Sequence, residues 1–397
     1  MDVAPTSRLT LAGMAREPFR LFFLAAVLAG MLGALLWPLH LLGVAPIYPG
    51  AGHARLMAQG FFGGFIVGFL ATALPRLLSA PGFRAGEVFL FLGLHLAMIV
   101  ADTVGQTRWA DLLFLGLLGA FAACAIPRFC KRQDLPPPGF ILVPLAWACA
   151  VAGTLLALGR DRFDEGHWAP LLVPLLSYQG FVLLPILGVS GFLLPRFFGV
   201  PSAQNFPTSR SAPPGWWPRA LAALGVGLLV VASFFLEALG HARWGHALRL
   251  GLSAAWLLWE VPMFHRGIHH NVLTRALQAA VVFLLAGFLS EILFPQFRVA
   301  MLHLSLMGGC ALITLTVATR VVYGHSGRQR LLAGRNRWYT TFCVLALIAM
   351  ATRMSGDFWP AIMKSHYIYG AAIWVVALLL WSWRVLRYVR QPDPEGD

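Results

Sequence analysis

Apolar runs of about twenty residues recur from one end of this chain to the other, and they settle what it can fold into. A backbone inside lipid has no water to bond, so each run must satisfy its own peptide groups, which an α-helix does. Crossing about 30 Å of hydrocarbon takes about twenty helical residues. The expected class is therefore all-α: a polytopic integral membrane bundle of about twelve helices. The spans fall at roughly 20–41, 54–78, 86–104, 109–130, 139–159, 168–195, 217–239, 245–265, 271–294, 300–323, 337–355 and 365–388. Only 12% of the 397 residues are charged, about half the share of a soluble protein, and no soluble domain fits between the runs. Residues 1–397 thus read as one membrane domain with short tails at 1–19 and 389–397. The first run, Leu21 to Leu42, is too long for a cleaved leader and reads as a retained helix. Pro136-Pro137-Pro138 and Pro213-Pro214 mark two of the loops.

The net charge of +14 does not point to nucleic acid, because no dense basic run with interleaved aromatics occurs. The cations sit instead in short loops. With the spans above, 21 of the 30 lysines and arginines fall on the side of the N-terminus, which the positive-inside rule makes cytoplasmic. An even number of spans places the C-terminus there too. The expected location is a bacterial inner membrane, multi-pass, with the lipid bilayer as the first partner. Five cysteines occur without a C-x-x-C pair, which excludes a disulfide framework and covalent c-type haem. Any haem would be held by coordination and packing alone. No Walker loop, G-x-S-x-G elbow or dinucleotide fingerprint is set in a strand-turn-helix context.

Histidine is rare inside membranes unless paired or liganded, and this chain has twelve. His40, His53, His167, His241, His246, His303 and His366 fall on the side away from the N-terminus. His265, His269, His270 and His325 fall on the other, and His95 is mid-span. His53, His303 and His366 each lie within about one turn of a helix start at matching depth. Neutral imidazoles so placed suit haem iron or copper; bonding to water or loop carbonyls is the plainer alternative. Asp102, Glu237 and Glu291 lie near the same level and could orient a liganding imidazole or relay protons. His265 and His269, four residues apart, would share one face if a helix ran through them.

The stretch from His303 to Arg328 carries the most specific pattern. A histidine-led apolar helix ends in Thr319-Arg320, and Gly324-His325-Ser326-Gly327-Arg328 follows a short link. His303 and His325 would lie about 33 Å apart along it, too far to share a metal. This stretch resembles the NnrS family of bacterial haem- and copper-containing membrane proteins. Supporting segments cover most of the chain. Glu17-Pro18-Phe19-Arg20-Leu21-Phe22-Phe23 is similar to the family's F-R-P-F-F opening. Gly52-His53-Ala54-Arg55-Leu56-Met57 is similar to W-H-A-H-E-M, followed by glycines 60, 63, 64 and 68 and by Pro75. The segment from Gly188 to Phe198 and the closing Arg387–Asp397 match more loosely. Arg55 and Leu56 replace the family's second histidine and glutamate, so any ligand role of those two positions is lost here.

The resemblance implies non-covalent haem b, with copper also in the family, and a part in the bacterial response to nitric oxide or another small diatomic ligand. It implies His53, His303, His325 and His366 as candidate metal or haem ligands. Arg55, Arg320 and Arg328 are the candidate partners of haem carboxylates. Arg55 is expected to reach such a carboxylate or an outer acid such as Glu291. The residues leave open whether nitric oxide would be bound, sensed or turned over by haem-dependent chemistry. Twelve spans with outer histidines also resemble haem–copper oxidases in architecture, although the two histidines separated by one residue are missing. A secondary transporter and a cofactor-free assembly subunit are the rival readings, and colour in the purified protein separates them from a haem protein.

Overall fold

The computed structural model describes residues 9–160, 168–332 and 336–393. His167 and the outer parts of both expected tails lie outside these residues. The long helices are α1 (Phe19–Leu41), α2 (Gly50–Leu77), α3 (Ala85–Thr103), α4 (Thr107–Cys130), α5 (Pro138–Leu158) and α6 (Trp168–Phe198). Then follow α7 (Trp216–Ala238), α8 (Ala242–Glu260), α9 (Val272–Leu293), α10 (Pro295–His325), α11 (Arg337–Phe358) and α12 (Pro360–Tyr388). No strand occurs among the described residues. Every expected span is a helix. Eleven are long and apolar enough to cross a membrane, and α8 is the exception because it carries Arg243, His246, Arg249 and Glu260. It also stops at Glu260, short of the expected 265, so His265 and His269 sit in an exposed turn and not on one helix face.

Burial shows which helices form the middle. In α1, α2, α6 and α10, 61–78% of the apolar window is buried, against 28–44% for the other seven spans. Close approach of α1 and α2 rests on small residues. A Cβ at Gly60 would stand 2.8 Å from Ala29 Cβ, and one at Gly64 would stand 2.8 Å from Ala26 Cβ. The four-residue spacing of Gly60, Gly64 and Gly68 places all three on one face of α2, the pattern that lets membrane helices pack backbone to backbone.

Three of these central helices contain π-helical turns: Leu56–Phe62 in α2, Leu175–Gly180 in α6 and Leu304–Ala311 in α10. Such turns are rare overall and frequent at functional sites. Here they recur at every fourth helix, and in α2 and α10 they begin within three residues of His53 and His303.

Both ends of the chain meet on one face, hereafter the tail face, where Leu9 N–H donates to Arg390 O at 2.9 Å. Fully buried Arg20 ties them together: its guanidinium donates to the carbonyls of Val389 (3.0 Å), Gln391 and His325 (3.3 Å). His53, His303 and His366 lie at the opposite face.

Candidate metal centre

α2 and α10 bring His53 and His303 together across 250 residues of sequence. Their rings are nearly parallel, at 21°, with centroids 6.3 Å apart. In each ring Nδ1 faces a backbone carbonyl, Gly33 O at 2.9 Å for His53 and Val299 O at 2.7 Å for His303. A carbonyl only accepts, so Nδ1 carries the proton in both and Nε2 keeps its lone pair. This is how metal-binding imidazoles are held, with the second nitrogen fixing tautomer and orientation. Both Nε2 atoms are thus left as the donors that a metal or haem iron would use beside the cavity.

The pair opens into a cavity between α1, α2, α10, α11 and α12. Its wall is aromatic: Trp37 stands edge-on to Tyr367 at 5.2 Å, and Trp374 lies deeper against Phe61. Arg353 is its cationic residue, bonded to Asp357 at 2.8 Å and lying 3.8 Å above the Tyr367 ring. Met57 and Met307 also line it. Each follows its histidine by four residues, and a Cβ on Gly33 would stand 3.2 Å from the Met57 sulfur, so that thioether lies beside the carbonyl that holds His53. The sequence carries the signal twice, as His53-Ala-Arg-Leu-Met57 and His303-Leu-Ser-Leu-Met307. Arg353, Tyr367 and Met307 were not singled out from the sequence.

The other candidates are elsewhere. His366 is near the same level but turns to Ile362 O at 3.1 Å and does not line the cavity. His325 lies at the tail face, paired with Asp393 at 2.8 Å beside Glu17 and Arg76. Arg320 lies over Phe197, and Arg328 bonds the side chain of Gln391. Arg55 makes a two-point ion pair with Asp111 (3.1 and 2.8 Å) and stands 3.9 Å from Asp102, so its acid is not Glu291. Glu291 instead pairs with His246 at 2.7 Å. Next to it, buried Arg249 bonds Glu237, Gln179 and Ser233, and Arg298 reaches the other oxygen of Glu237. This polar seam explains α8: its His246, Arg249 and Glu260 are consumed inside the protein against α6, α7 and α9. No group of three or more His, Cys, Asp or Glu able to hold a metal forms among the described residues.

An all-α bundle of lipid-length helices, with two tautomer-fixed imidazoles converging on an aromatic cavity, defines a polytopic membrane protein with a candidate histidine metal centre. The family model described as NnrS protein matches residues 14–392, and the chain belongs to that family. A search of curated proteins finds no match.

Proposed function

We propose that this chain holds one non-covalent haem b between His53 and His303 and serves the bacterial response to nitric oxide, in an inner membrane with both termini cytoplasmic. The carrying observation is the pair of near-parallel imidazoles, ring centroids 6.3 Å apart, with each Nδ1 committed to a carbonyl. Family membership supports the cofactor and the physiological setting. Trp37, Tyr367 and Trp374 supply flat apolar surface for a macrocycle, and Arg353 is the guanidinium within reach of a carboxylate at the cavity. Bound there, haem would supply one-electron exchange and, where one imidazole gives way, a position for a diatomic gas. The protein's contribution is to fix both tautomers and to line the cavity with apolar side chains.

The test is a pyridine-haem assay and an absorption spectrum of the detergent-purified protein. A low-spin Soret band is expected. His53→Ala and His303→Ala should each lower haem content tenfold or more while still inserting in the membrane. Unchanged spectra in both variants would refute the assignment.

Copper is a second reading with its own observation. Met57 and Met307 bring two thioethers to the cavity that holds the two imidazoles, and soft sulfur donors favour Cu(I). Met57→Leu with Met307→Leu should weaken Cu(I) binding, measured against a colorimetric chelator, and leave the Soret band in place. Unaltered Cu(I) affinity would exclude the thioethers.

A further inference from the structure

We infer that the tail face carries a binding site for one anionic phospholipid, between α2, α4, α5 and α7. The site has two parts. The first is a groove lined by apolar side chains including Leu74, Phe121, Ile126, Trp147, Trp216 and Trp217. Its largely apolar wall suits acyl chains. Ile126 and Trp217 are exposed, so the groove opens to the surroundings of the bundle.

The second part is a cleft of about 510 Å³ lined by Cys130, Lys131, Arg132 and Arg210. It starts at the residue after Phe129, which itself lines the groove. Asp134 holds the two loops together by accepting from Ser209 N–H at 2.9 Å, which keeps Arg210 near Lys131 and Arg132. Three other cations of this face have acids: Arg76 pairs with Glu17, Arg128 with Glu87 and Arg219 with Glu260. Lys131, Arg132 and Arg210 have none among the described residues, and the buried Nε of Arg132 makes no hydrogen bond.

Three unpaired cations at the mouth of an apolar groove match a phosphate with acyl chains below it. Tryptophans at the rim are the usual interfacial anchors, and basic pockets between helices on the cytoplasmic side bind anionic headgroups. Charge complementarity with the adjoining groove selects an anionic diacyl lipid over a zwitterionic one.

Three groove tryptophans make the site readable by fluorescence. The protein is placed in phosphatidylcholine bilayers containing a minor fraction of either brominated phosphatidylglycerol or brominated phosphatidylcholine. Brominated phosphatidylglycerol should quench more strongly, and Trp147→Phe with Trp217→Phe should remove most of that excess. Each lost cation should lower the preference about fivefold. The Lys131→Gln, Arg132→Gln, Arg210→Gln variant should therefore be quenched alike by both lipids, with its thermal transition unchanged. Equal quenching of the natural protein by the two lipids, or a preference that survives in the triple variant, overturns the site. Neither readout depends on haem, so the inference stands or falls apart from the proposed cofactor.

Discussion

At the scale of single residues, Arg55 shows how a substitution within a family pattern finds a structural role. The position that would hold a second histidine carries a permanent cation, and the fold gives it Asp111 and Asp102. Removing one partner of a buried ion pair leaves the other charge uncompensated, at a cost of about 3–5 kcal/mol. Arg55→Leu should therefore lower stability on that scale in a detergent unfolding titration, with the proposed haem site at His53 and His303 retained. Stability unchanged within error would show the pair to be dispensable. The sequence supplied the depth match of His53 and His303, because both open their helices on one side. It did not supply Asp111 as the partner of Arg55, since a contact 56 residues apart depends on how α2 leans on α4. His366 shows the limit of depth matching. It sits at the same level as the pair, but its helical phase carries it off the cavity, where Tyr367 faces in its place.

At the scale of elements, hydropathy made all twelve helices legible, including α8, whose apolar period survives its charges. The π-helical turns were not legible, because no residue preference separates them from the surrounding α-helix. In α2 and α10 they begin within three residues after the two histidines. The packing of α1 on α2 was legible in part, through the glycines, and it yields a test. A Cβ at Gly64 would meet Ala26 and also lie 2.8 Å from Nε2 of buried His95, whereas one at Gly86 would meet nothing within 4 Å. Overpacking of this kind costs about 1–3 kcal/mol. Gly64→Val should lower the midpoint of thermal unfolding in detergent, and Gly86→Ala should leave it in place. Equal midpoints would mean that the two helices can move apart freely.

At the scale of the whole molecule, the charge asymmetry and the fold agree on one point. The side that collects 21 of the 30 cations in the sequence is the face on which the two ends of the chain meet. That face is proposed to be cytoplasmic, and labelling decides it. A single reactive cysteine at Gln329 in a cysteine-free background should be blocked only by a membrane-permeant reagent. Modification of intact cells by an impermeant maleimide would reverse the topology and place the histidine pair on the inner side.

Arg20 also sets a clock on assembly. It lies at the start of α1, and its carbonyl acceptor Val389 is 369 residues further along the chain. At about 5–20 residues per second, synthesis reaches that acceptor roughly 20–70 s after the arginine. The nascent protein therefore passes most of its synthesis with its helices entering the bilayer and its two ends apart. A chain stopped after Tyr388 keeps every spanning segment but lacks the acceptors at Val389 and Gln391. It should insert fully, then be cleared faster than the full chain in a pulse-chase experiment, with the earliest protease cuts near Arg16 and His325. Equal lifetimes for the two chains would show that the helices hold their arrangement without the closing contact.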